Sequence, residues 1–146
     1  MRVKAEDWKN AAISASNLSE LELTLGEVAG AVGDAAQSVT YADRSGDAGE
    51  RMVNRTTHAD ALHQAGRRAE AETRFREAEQ MQKDDQPDYP LLYSLRGFQY
   101  CDLLLAAPER AANVRAWLDG HGAVVVETFA DGDVLFALPP RVAPGA

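Results

Sequence analysis

The chain has 146 residues, 45% hydrophobic and 26% charged, enough for one ordinary core and too apolar for a disordered tail. Its 23 acidic against 15 basic residues, a formal charge of −8, argue against broad phosphate-backbone binding and so against a nucleic-acid partner. One cysteine excludes an internal disulfide, no stretch approaches the ~20 apolar residues of a membrane span, and the polar opening "MRVKAEDWKN" lacks a leader's apolar core; a cytoplasmic protein with no membrane partner is expected.

The first predicted helix runs from about Glu6 to Leu25 and closes at Gly26, the residue type that takes the left-handed conformation past a helix end. The second covers about Glu27 to Ala42 and stops in the turn cluster "DRSGDAG". The third spans about Glu50 to Ala65 and closes at Gly66; the fourth continues to about Lys83, ahead of the breaker "DDQPDYP". On its surface Glu70 and Arg74, and Glu72 and Arg76, stand one helical turn apart and can pair. A fifth helix, "LLYSLRGFQYCDLLLA", is expected to end before Pro108. Short links between helices predict antiparallel neighbours, that is, helix hairpins stacked side by side.

From Pro108 the pattern changes. "ERAANVRAWL" reads as a short helix closed by Asp119 and Gly120, and "GAVVVETFADGDVLFALPP" as a β-hairpin around Asp131-Gly132 that Pro139 and Pro140 stop. Val124, Val126 and Thr128 are expected on one face, with Val125, Glu127 and Phe129 on the other. Two strands alone are marginal in water. A cap on the helices, an edge for strand addition and an incidental terminus all stay open as readings. The expected organisation is a helical repeat region over 5–107, a short helix plus β-hairpin over 108–140, and a disordered tail over 141–146.

A shift of forty residues lays the end of the first hairpin on the second. Gly26 falls on Gly66, Ala29 on Ala69, Ala31 on Ala71, Ala35 on Phe75 and Ser38 on Ala78. Each unit thus has a turn glycine, then small or aromatic residues at helical spacing along one face. This small–small–aromatic–small layout resembles the tetratricopeptide repeat, a helix–turn–helix unit, over about residues 11 to 106. Leu18 and Ser19, Ala59 and Leu62, and Gly97 and Tyr100 match its first-helix positions. The segment is also similar to repeat regions of large bacterial multi-repeat proteins. The spacing of forty exceeds the family's 34, a difference assigned to the connection "YADRSGDAGERM". The expected fold is all-α: a tetratricopeptide-like α-solenoid of about two and a half repeats of antiparallel helix hairpins, ending in a short β-hairpin.

No residue set points to catalysis or to a cofactor. His58 and His63 lie five apart, about 140° out of line at ~100° per residue, which is wrong for a helical metal pair, so both are expected on the surface. His121 reads as a turn residue and Cys101 as a small buried hydrophobe. "AGAVGDA" lacks the spacing of a phosphate loop, and Trp8 and Trp117 are expected to plug the ends of the stack. The resemblance implies a concave groove lined by the first helix of each unit. Carried onto this chain, those positions are Ser16, Glu20 and Thr24, then Thr56, Asp60, His63 and Gln64, then Ser94, Phe98, Cys101 and Asp102. The carboxylate-holding lysine, asparagine and arginine set of some relatives is absent, so a basic or neutral peptide or helix of a partner protein is the expected ligand. A truncated fragment acting through self-association at open repeat ends, or a regulatory arm of a larger bacterial signalling or NTPase-linked protein, is the alternative.

Overall fold

The computed structural model describes residues 4–120, 124–128 and 134–137. They divide into two compact units, Met1–Leu104 and Leu105–Ala146. The first is helical: α1 (Ala5–Leu25), α2 (Val28–Ser45), α3 (Ala48–Gln64), α4 (Arg68–Asp85) and the opening turns of α5 (Ser94–Gly120). Gly26, Gly46 and Gly66, twenty residues apart, have φ of 83°, 73° and 77°, where any other residue would press its Cβ against the backbone. At two of them the closing bonds are the same. Glu27 N–H donates to Glu22 O at 2.8 Å, and Arg67 N–H to Leu62 O at 2.9 Å, forty residues on.

The wide spacing comes from longer helices and not from a longer connection. Only Gly46 and Asp47 separate α2 from α3. Asp47 caps α3 by accepting from Glu50 N–H at 2.9 Å and takes Lys9 Nζ of α1 at 2.8 Å. Asp43 receives Arg55 through two bonds of 2.9 and 3.0 Å and Arg51 at 3.1 Å. Residues that look like a loop by type are held helical by these partners.

Small residues close the hairpins. Ala31, Ala35, Ser38 and Ala42 of α2 are buried, and so are Ala71, Phe75, Ala78 and Gln82 of α4, each forty residues further on. Ser19 Oγ donates to Ala31 O at 2.8 Å, so the hydroxyl costs little inside the seam. Ala61 of α3 meets Ala31 and Ala35 and joins the hairpins. The larger core cluster contains Ala59, Leu62, Ala71, Phe75, Ala78, Leu92 and Leu103, with the Phe75 and Tyr100 rings stacked at 4.9 Å. At the other end Trp8 stacks on Tyr41 at 5.6 Å beneath the Arg44 guanidinium.

The fifth helix does not end before Pro108 but runs through it to Gly120. Proline removes the N–H that would bond the Leu104 carbonyl and crowds that carbonyl, so the ladder is weakest there. Leu104 is also the last residue of the first unit. In the second unit, β1 (Val124–Thr128) pairs antiparallel with β2 (Val134–Ala137), from Val124 opposite Ala137 to Thr128 opposite Val134. The register shifts between Val125 and Glu127, so Val126 interrupts the ladder. The expected turn at Asp131-Gly132, the stop at Pro139 and Pro140, His121, the facing of the strand side chains and the tail lie outside the described residues. Among the described residues no helix is long and apolar enough to cross a membrane.

Candidate interaction groove

Asp60 is the centre of the site. It is half-buried on α3, at one side of a depression of about 320 Å³ lined by Leu23, Thr24, Val28 and Gln64. The floor is therefore apolar and the rim polar. Gln99 of α5 donates to its carboxylate at 3.2 Å. Burial pushes the Asp60 carboxyl above its ordinary range. A hydrogen bond from Gln64 and the nearby His63 pull it back, while Asp102 adds to the rise. His63 Nδ1 lies 3.6 Å from Asp102 Oδ2, an ion pair when the imidazole is protonated. The structure thus brings together Thr24, Asp60, His63, Gln64 and Asp102 of the expected set.

The remaining positions are dispersed. Ser16 and Thr56 are buried in the helix seams, not on a groove wall. Ser16 Oγ bonds Thr57 Oγ1 at 3.2 Å and Thr56 Oγ1 donates to Val53 O at 2.7 Å, so both hydroxyls are satisfied internally. Glu20 is exposed on α1, and its carbonyl accepts from Thr24 Oγ1 at 3.0 Å. Ser94 opens α5 with φ of 57°, a left-handed backbone for a residue with a side chain. It is exposed, and Phe98, one turn on, is 70% exposed. Gly97 lies where a Cβ would come within 2.6 Å of the Leu92 carbonyl, so the entry to α5 depends on it. Cys101 is exposed, not buried, because Tyr100 and Leu103 occupy the inward face of α5.

His58 and His63 are not surface residues. His63 is half-buried beside Asp102, and His58 is half-buried at a second depression of about 450 Å³ between α2, α3 and α4. Burial, then Arg74 and Arg67, hold the His58 pKa below the ordinary imidazole value. Each arginine there is already paired, Arg67 with Glu70 at 2.6 Å and Arg74 with Glu77 at 2.8 Å. That depression is therefore close to neutral and offers no free charge to a ligand. Glu22 is a half-buried acid that sequence reasoning missed. It occupies the place of Leu62 forty residues earlier, and its Oε1 lies where a Cβ on Gly30 would meet it at 2.8 Å. Desolvation, then Asp34, raise its pKa. The only signal in the sequence was an acid standing where the other repeat has leucine, beside glycines at 30 and 33. Among the described residues no group of three or more histidine, cysteine, aspartate or glutamate side chains is placed to hold a metal ion. No protein family, curated protein or solved structure matches the chain.

Proposed function

We propose that the first unit is a non-catalytic, tetratricopeptide-like interaction module that seats a peptide or helix of a partner protein in the depression at Asp60. The recurrence of the turn bonds and of the buried small-residue face at forty residues supports the repeat reading. The observation that carries the binding reading is Asp60 itself. It is a carboxylate raised by burial, beside the apolar Leu23 and Val28 and below the polar Thr24 and Gln64. A lysine or arginine side chain laid along that floor places its stem on apolar surface and its cation against the carboxylate. Asp102 extends the same sign of charge, which favours a basic segment over an acidic one. The scaffold is preformed, so little ordering of the protein is needed on binding.

A peptide array carrying lysine- or arginine-containing, neutral and acidic segments tests this. Basic or neutral segments are expected to bind best, and Asp60→Asn to weaken the basic ones about tenfold. Best binding by acidic C-termini would overturn the reading.

A further inference from the structure

One stripe of α1 is apolar and, among the described residues of the first unit, uncovered. Leu18, Leu21 and Leu25 are 46%, 53% and 68% exposed, on the side of the helix opposite the buried Ala12, Ser16 and Ser19. With Ala11 and Ser14 they follow a strict three–four alternation over two heptads, the spacing of a helix–helix seam. The repeat shows what closes such a face. Forty residues on from Leu21, Ala61 of α3 is fully buried by a helix, against Ala31 and Ala35 of α2.

Charge and shape then select the occupant. The exposed face of α4 carries paired arginines and glutamates, whereas the stripe Ala11, Ser14, Leu18, Leu21 and Leu25 of α1 is uncharged, with the half-buried Glu22 at its edge and the exposed Glu20 off it. An acidic partner finds no counter-charge on that stripe, and a basic one finds only the half-buried Glu22 at its edge. A second copy of this chain, itself at −8, sets uncharged residues on uncharged residues along the stripe itself. The seam is small at its start (Ala11, Ser14) and large at its end (Leu21, Leu25). An antiparallel pair sets Leu25 of one copy over Ser14 of the other and Leu18 over Leu21. A parallel pair would stack leucine on leucine at one end and leave a gap at the other.

We propose that α1 is a self-association surface, on which two copies pair antiparallel across a two-fold axis through Leu18, Leu21 and Leu25. The surface is independent of the groove at Asp60 and buries less than a standard interface, so association in the micromolar range or weaker is expected.

Sedimentation equilibrium of the full chain at concentrations up to about 1 mM tests it. A monomer–dimer equilibrium is expected. Leu18→Glu and Leu21→Lys, both at exposed positions, are each expected to keep the helical circular dichroism and to raise the dissociation constant about 30-fold, because each copy then buries a charge against leucine. Mixed, the two variants are expected to associate again, since the antiparallel pair places the glutamate opposite the lysine and leucine opposite leucine. A wild-type monomer at about 1 mM, growth beyond the dimer, unaltered association in the single variants, or no recovery on mixing would each overturn the proposal.

Discussion

At Asp60 stability and binding pull in opposite directions. A carboxyl whose folded pKa lies above its ordinary value near 3.8 holds its proton more tightly in the folded chain than in the unfolded one. Stability therefore falls as pH rises from that ordinary value through the folded pKa, and the loss is complete once pH lies well above the folded pKa. Asp60→Asn removes it, so at pH 7 the variant is expected to melt about 1–3 °C above the parent. The gain should vanish near pH 3, where both states of the parent are protonated; a gain independent of pH would contradict burial of the charge as its cause. Asp43 works with the reverse sign. Burial would raise it, but the hydrogen bonds from Arg55 and Arg51 outweigh burial and hold it below its ordinary value. Its contribution is present above that value and is lost as pH falls through the folded pKa. A variant that gains stability at Asp60 while losing basic peptides would show a residue retained at a cost to the fold.

The two hairpins share a frame and differ in what fills it. Phe75 fills the second through its stack with Tyr100, where the first has only Ala35 at the equivalent position. Phe75→Ala is expected to cost about 3–5 kcal/mol in chemical denaturation, a large share of the stability of a small domain. Ala35→Phe should cost about 1–3 kcal/mol by overpacking a seam built for close approach. Equal costs at the two positions would mean that the hairpins are packed alike. This frame was legible in the sequence because glycine at 26 and 66, and small residues at 31, 71 and 78, are constrained by backbone geometry and helix separation. What was hidden depends on partners far along the chain. Asp43, Ser45 and Asp47 have the composition of a loop, yet Arg55, Ser45's own bond to Ala42 O and the cap at Glu50 keep all but Gly46 and Asp47 helical. Ser16 and Thr56 have polar side chains, yet their hydroxyls find partners inside the seam, so the resemblance placed them on a groove they do not line. Of the groove, Asp60 and Gln64 came from the positions that the resemblance implies; the contribution of Gln99 did not, because it arrives across the irregular 86–93 link.

On the scale of the whole molecule, the charge of −8 acts on the two proposed surfaces in opposite senses. A basic peptide approaching Asp60 and Asp102 is drawn in by that field, and added salt screens the attraction. Two copies meeting through α1 repel each other at distance, and added salt screens the repulsion. The Debye length falls from about 30 Å at 0.01 M to about 8 Å at 0.15 M, short compared with the spread of charge over a domain of this size. Raising sodium chloride across that range is therefore expected to weaken basic-peptide binding severalfold and to strengthen self-association. Measured on one preparation, anisotropy of a labelled basic peptide and sedimentation of the free chain should shift in opposite directions. If both weakened, the contact between copies would be carried by opposite charges and not by the leucines of α1. If both strengthened, the peptide would be held by apolar burial at Leu23 and Val28, with Asp60 a bystander.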